Sequence, residues 1–78
     1  MDANARAQRI RAIAKRASEI VLELIELSLS IQKYSVDYHT TTIDVLRDFA
    51  KSAIAIQTLK QLRLQDELDM LDNTLINL

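Results

Sequence analysis

The chain contains neither glycine nor proline in its 78 residues. Glycine supplies the positive φ angles of many tight turns, and proline ends helices and stiffens loops. Sandwiches, barrels and Rossmann-like folds need many such turns, so the absence of both residues favours few turns and long helices. Most of the common residue types in the chain, such as Ala, Leu, Arg, Gln and Glu, favour helix. The sequence therefore predicts an all-α protein.

The small size limits how such a fold can be stabilised. A chain of 78 residues makes at most one domain, and it buries only about 60% of its unfolded surface. Domains of this size are usually reinforced by disulfides, a metal or a partner chain. The chain has no cysteine, which excludes disulfides and suits a reducing compartment, so we expect a cytoplasmic protein. We expect no cofactor and no metal, which leaves a partner chain as the reinforcement.

Apolar residues recur at alternating steps of three and four through the first half of the chain. This heptad spacing predicts a long helix near residues 2–38, with one apolar seam that packs against another helix at a shallow angle. Asp2 is a suitable N-cap for this helix. The seam consists of Ile10, Ile13, Ala17, Ile20, Leu24, Leu27, Ile31, Tyr34 and Tyr38.

The apolar rhythm stops between Tyr38 and Ile43, where one histidine and three threonines follow each other. We predict a turn near residues 39–41 and a second helix near residues 42–77, with Thr41 and Asp44 resembling a capping box. A connection this short predicts antiparallel helices, in which facing residues have numbers that sum to about 80. The second apolar stripe consists of Leu46, Phe49, Ala50, Ala53, Leu64, Leu68, Leu71, Leu75 and Leu78.

Further apolar residues lie away from both stripes. A helix that is apolar on two faces must be covered on two faces, and one partner helix within the chain cannot do this. The sequence therefore predicts that two antiparallel hairpins associate into a four-helix bundle, as a coiled-coil homodimer, the commonest form of oligomer. The predicted dimer or partner interface consists of Val21, Leu22, Ile25, Leu29, Ile56 and Leu59.

A polar gap, formed by Gln57, Lys60 and Gln61, interrupts the second stripe. The antiparallel arrangement brings this gap to the level of Glu19 and Glu23, so we predict a polar layer in which Lys60 pairs with one of the two carboxylates. Buried polar residues of this kind fix the register of coiled coils. The alternative is a recess for a partner or a ligand.

Opposite charges gather at the two ends of the sequence. Antiparallel helices bring the two clusters side by side, which favours this orientation. The alternative is that the basic clusters of a dimer form a binding surface for nucleic acid, namely RNA. The net charge of −1 gives no overall attraction to nucleic acid. The basic cluster is Arg6, Arg9, Arg11, Lys15 and Arg16, and the acidic cluster is Asp66, Glu67, Asp69 and Asp72.

The sequence offers little support for catalysis. His39 is the only histidine, and no glycine-based loop exists to organise it with a nucleophile. Glu19, Glu23 and Glu26 share helical spacing, but the chain lacks the Glu-x-x-His pairs of bundle metal sites. We therefore predict a protein that is not an enzyme.

The predicted function is a protein–protein interaction or regulatory module that acts through a helical surface. Its partner is a second copy of the chain or a larger protein. The first alternative is the RNA-binding hairpin dimer. The second is a peripheral amphipathic membrane helix, which we rank last because the two helices carry matching apolar faces. The most apolar run, residues 20–31, is too short and too charged to span a bilayer.

Overall fold

The computed structural model describes residues 2–78 as a hairpin of two long helices. Helix α1 spans Ala3–Thr40 and helix α2 spans Asp44–Ile76. The helices contact each other and form a rod of 62 × 15 × 13 Å. No strand occurs within residues 2–78. The all-helical hairpin confirms the fold class predicted from the absence of glycine and proline.

The start of α1 is capped by a side chain. Asp2 has extended backbone angles, and its Oδ1 accepts a hydrogen bond of 3.1 Å from the backbone N–H of Asn4. This bond satisfies one of the four N–H groups that have no partner inside the helix, and the carboxylate lies at the positive end of the helix dipole. The predicted N-cap at Asp2 is confirmed.

Helix α1 ends two residues later than the sequence predicted. His39 and Thr40 belong to its last turn, and the connection to α2 is Thr41, Thr42 and Ile43. Two hydrogen bonds extend this helix end: the backbone N–H of Thr41 donates to the carbonyl of Asp37 at 3.0 Å, and Thr40 Oγ1 donates to the carbonyl of Val36 at 2.8 Å. The predicted turn at residues 39–41 therefore has its centre at Thr42.

The connection needs no glycine because its backbone is extended. Thr41 has φ −77° and ψ 142°, and Ile43 has φ −95° and ψ 117°; β-branched residues favour such angles. The predicted capping box is absent, because Ile43 is the N-cap and has no side-chain cap bond. Thr41 Oγ1 instead accepts from the backbone N–H of Ile43 at 3.2 Å, and Arg47 Nη2 donates to the carbonyl of Thr41 at 3.1 Å.

Contacts between the helices give the register. The rings of Tyr34 and Phe49 meet edge to face with centroids 6.0 Å apart, and Arg16 pairs with Glu67. The residue numbers of both pairs sum to 83, whereas the sequence analysis predicted about 80. A sum of 80 would pair Tyr34 with Leu46. The register differs by almost one helical turn because the connection has its centre at Thr42.

The core is a line of side chains between the two helices. Ile20 is completely buried, Ala50 is 2% exposed and Leu64 is 9% exposed. The predicted α1 seam is buried or half-buried from Ile13 to Tyr38. Two predicted members of the α2 stripe, Leu46 and Phe49, are more than half exposed. The Cα radius of gyration is 17.9 Å, compared with about 11.5 Å for a compact domain of this length.

Shortening the buried side chain of Ile20 tests this line of contacts. We expect Ile20→Ala to lower the free energy of unfolding by about 3 kcal/mol, because the substitution leaves a cavity that two rigid helices cannot close. Ile76→Ala is the matched control, since Ile76 is exposed near the end of α2. Urea denaturation followed by circular dichroism at one fixed protein concentration measures both. Equal losses in the two variants would contradict the assigned core.

Removing one hydroxyl tests the turn. Thr41→Val keeps the β-branched shape but removes the oxygen that accepts from Ile43, so we expect a loss of about 1 kcal/mol in unfolding free energy. Thr42→Val is the control, because the Thr42 hydroxyl makes no hydrogen bond within the described part of the chain. The assignment is wrong if Thr42→Val costs as much as Thr41→Val in the same denaturation experiment.

Candidate interaction surfaces

Helix α1 carries an apolar surface that α2 does not cover. We call it the α1 outer face, and its members are between 44% and 62% exposed. A shallow depression of about 280 Å³ lies in it, lined by Val21, Ile25 and Leu29 together with Leu24 and Ser28. The α1 outer face consists of Val21, Leu22, Ile25, Leu29 and Val36.

Helix α2 carries a second such surface, the α2 outer face, whose members are between 57% and 76% exposed. Within it, Ile56 and Leu59 line a depression of about 190 Å³ with Lys60 and Arg63. The α2 outer face consists of Val45, Phe49, Ile56, Leu59 and Met70.

The two outer faces lie on opposite sides of the hairpin. Ser28, which lines the α1 depression, accepts a hydrogen bond of 2.9 Å from Gln61 Nε2 on one side of the helix pair. Lys60, which lines the α2 depression, shares another depression with Glu23 and Glu26. Ser28 and Glu23 flank the α1 seam on opposite sides, since five residues turn a helix by about 140°. The six predicted interface residues therefore form two separate surfaces.

A cluster of charged side chains at the level of the core joins the two helices. The Arg16 guanidinium makes a bidentate ion pair with Glu67, in which Nε donates to one carboxylate oxygen and Nη2 donates to the other at 3.0 Å. Nη1 of Arg16 lies 3.4 Å from Glu19 and 3.8 Å from Glu23. Bidentate pairs of this kind are geometrically specific, so the cluster helps to set the register of α1 against α2.

Arg16 occupies the role that the sequence analysis gave to Lys60. Within residues 2–78, the ion pairs of Glu19 and Glu23 are made by Arg16, and none involves Lys60. Lys60 is exposed beside Glu23. The sequence does contain the signal for the observed pairs, because Arg16 precedes the two glutamates by three and seven residues on the same helix face.

The pKa values of the pair follow from this geometry. The hydrogen bonds from Arg16 and its positive charge lower the pKa of Glu67 below the ordinary value of 4.5, and partial burial opposes this effect. The hydrogen bond to Glu67 raises the pKa of Arg16. Both groups are therefore ionised at neutral pH, and Arg16 is committed to carboxylates of its own chain.

Two glutamines fill the predicted polar gap between the helices. Gln61 makes the bond across to Ser28 described above, and Gln57 is half-buried. The side-chain carbonyl oxygen of Gln57 is buried without a hydrogen-bond partner within residues 2–78. A buried polar atom of this kind costs stability, so Gln57 weakens the middle of the contact line.

One of the five residues of the basic cluster, Arg16, is paired with glutamates of its own chain. Arg6, Arg9, Arg11 and Lys15 are exposed, and the ion pairs of the described residues do not include them. At about 100° per residue, Arg6 and Arg9 fall on the opposite side of α1 from Arg11 and Lys15. The cluster therefore wraps around the helix and does not form a single stripe.

The vicinity of the turn holds the only histidine. His39 is exposed in the last turn of α1, with its ring edge-on to Tyr38 at 5.2 Å between centroids. An open depression of about 370 Å³ lies nearby, lined by Tyr34, Asp37, Thr40, Thr41, Leu46, Phe49 and Ala50. His39 does not line it. The described residues hold no group of three or more potential metal ligands.

Comparisons with known proteins leave the surfaces to be interpreted from their own chemistry. No family model, no curated protein and no solved structure matches this chain. Neither of the two helices, as far as the structure describes them, is long and apolar enough to cross a membrane.

The pKa of Glu67 predicts how stability depends on pH. Because its folded-state pKa lies below its unfolded-state value, the stabilisation is complete above the unfolded value of 4.5 and is lost as the pH falls through the folded value. We expect Glu67→Gln to be less stable than the parent at pH 7 and to lose less stability on acidification. Melting temperatures between neutral pH and pH 2 measure this.

The neighbouring exposed carboxylate provides the control. Asp66→Asn removes one negative charge at an adjacent position without touching the pair between Arg16 and Glu67. It should keep the acid-dependent loss of the parent. A parallel acid response in the parent and both variants would show that this pair does not contribute.

Proposed function

We propose that this protein is a non-catalytic interaction module that associates with further copies of itself through its helical surface. The observation that carries the proposal is the presence of two outer faces of large apolar side chains, which are exposed in the isolated hairpin. Monomeric soluble proteins rarely expose contiguous apolar patches of this kind, and larger patches mark interaction sites.

The accessible surface supports the same conclusion. The hairpin exposes 6082 Å², whereas a compact monomer of 8.9 kDa is expected to expose about 4,800 Å². The excess is about 1,300 Å², and a standard protein interface buries about 800 Å² on each partner. Covering the outer faces with further helices would bring the exposed surface of this chain close to the area expected for a compact domain of its mass.

A copy of the same chain is the partner that the helices fit most directly. Both outer faces have the three- and four-residue spacing of helix-packing seams, so each fits another amphipathic helix. A larger protein that offers such a helix would compete for the same surface, and this competition would give the module a regulatory role. The lack of cysteine suits work in a reducing compartment such as the cytoplasm.

Nucleic-acid binding has weaker support. Arg16 is held by three glutamates of its own chain, and the remaining four basic residues are spread around α1. A phosphate backbone is bound by several cations that face it together. We therefore expect a labelled RNA to show no shift in anisotropy with the assembled protein at physiological salt.

Sedimentation velocity tests the proposal directly. We expect the weight-average mass to exceed the chain mass of 8.9 kDa at micromolar concentrations and to rise with concentration. We expect Ile25→Glu combined with Ile56→Glu to remain helical and to sediment as a monomer, because each change puts a charge into one outer face. Gln8→Glu combined with Thr58→Glu is the control with the same added charge, because both residues are exposed and belong to neither outer face. A parent chain that stays monomeric and folded throughout would refute self-association.

A further inference from the structure

The positions of the two outer faces restrict how copies can assemble. The faces lie on opposite sides of the hairpin, so a two-fold dimer that buries one of them leaves the other in water on both copies. A closed four-helix bundle, in which each helix touches one helix of the partner chain, requires both faces on the same side. Burying both faces therefore needs an arrangement that continues beyond two copies.

We infer that the α1 outer face of one copy packs antiparallel against the α2 outer face of the next, in the register of the hairpin itself, to form an open row of hairpins. This inference rests on the proposed self-association. The contact is head-to-tail, and repeated contacts of this kind grow into rings or filaments. In this row all copies point in the same direction, and each helix has an antiparallel neighbour on both of its apolar faces.

The pattern of side chains along the faces supports this contact. In the register of the hairpin, Ile25 of one copy lies level with Leu59 of the next, and Leu29 lies level with Ile56. The same register places Val36 at the level of Phe49. These residues are all exposed in the single hairpin. Apolar side chains therefore meet apolar side chains over about three turns of helix.

Polar positions coincide as well. Gln32 interrupts the α1 outer face between Leu29 and Val36, and in the same register it lies level with Ser52, which interrupts the α2 outer face between Phe49 and Ile56. Both residues are exposed in the single hairpin. A polar pair at a matching level avoids leaving one buried hydrogen-bonding group without a partner.

Charge favours this arrangement over contacts between identical faces. Copies that point in the same direction place Arg11 and Lys15, near the start of α1, at the level of Asp69 and Asp72, near the end of the neighbouring α2. Two α1 helices packed parallel would bring basic start against basic start. Two α2 helices packed antiparallel around Ile56 and Leu59 would place Phe49 near Asp66. The head-to-tail contact matches apolar residues and brings the basic end of one helix level with the acidic end of the next.

Mixing two variants tests the symmetry of the contact. Ile25→Glu with Leu29→Glu disables the α1 outer face, and Ile56→Glu with Leu59→Glu disables the α2 outer face. In a head-to-tail row, each variant alone has one usable face and no partner for it, so both should sediment as monomers. Their one-to-one mixture should form a complex of two chains, about twice 8.9 kDa, and should grow no further.

Contacts between identical faces predict the reverse result. One or both variants would then form dimers alone, and mixing would add no new complex; either outcome overturns the inference while self-association stands. A monomeric parent chain would overturn both. Circular dichroism at the sedimentation concentrations verifies that each variant remains helical.

Disulfide trapping provides a readout that does not depend on the charged variants. The parent has no cysteine, so single cysteines report one contact each. We expect Gln32→Cys mixed with Ser52→Cys to give an oxidised heterodimer in at least tenfold excess over the mixture of Lys33→Cys with Ser52→Cys. The chain that carries both Gln32→Cys and Ser52→Cys should form a ladder of covalent oligomers. Cross-linking that stops at dimers in the doubly substituted chain would overturn the open row.

Discussion

The structure depends on the burial of one apolar seam of α1 against α2. Two helices of 38 and 33 residues have few other contacts available to them, and helix propensity alone gives only marginal stability in water. The seam supplies a line of side chains and not a three-dimensional core, which is why Ile20, Ala50 and Leu64 are the only buried apolar residues in the described part of the chain. Every other property of the molecule follows from having one such line and more apolar surface than it can cover.

Apolar packing along this line does not fix the register by itself, because a heptad pattern fits nearly as well after a shift along the helix. Polar contacts across the two helices and at the connection reduce this ambiguity. Arg47 ties the start of α2 to Thr41, Gln61 bonds across to Ser28, and Arg16 reaches Glu67. Each exposed contact adds little stability, but a shift of one turn would break both contacts between the helices, Arg16 with Glu67 and Gln61 with Ser28.

The sequence predicted the two helices and the α1 seam from their periodicity and the cap at Asp2 from its side chain. The seam is buried or half-buried from Ile13 to Tyr38, whereas its first predicted member, Ile10, is exposed. The sequence analysis misplaced the end of α1 and the turn, because these depend on which hydrogen bonds the residues near Thr40 form. His39 and Thr40 extend α1, because the Thr40 hydroxyl and the Thr41 N–H continue the helical hydrogen bonds. That extension moved the centre of the turn to Thr42 and changed each predicted cross-helix pair by about one turn.

The candidate surfaces show a different limit of sequence reasoning. The exposed apolar residues were recognised, but Ile25 and Ile56 were assigned to one interface because both lie away from the seams. Two antiparallel helices rotate in opposite senses when viewed from one end. Whether two exposed residues, one on each helix, lie on the same side of the hairpin therefore depends on the direction in which each is rotated away from its seam. The contact of Ser28 with Gln61 shows on which side the α1 outer face lies, and the depression that Lys60 shares with Glu23 shows that the α2 outer face lies on the other side.

Folding and assembly are linked in a molecule of this shape. A partner that binds only the folded hairpin stabilises it in proportion to the logarithm of the partner concentration, and here the proposed partner is the chain itself. The buried oxygen of Gln57, which lacks a hydrogen bond within residues 2–78, lies in the middle of the contact line, between the levels of Ile56 and Leu59 on the α2 outer face. The unpartnered oxygen of the intrachain seam therefore lies at the level of two exposed apolar side chains of the α2 outer face. Covering that surface with a second copy would stabilise the hairpin at this level.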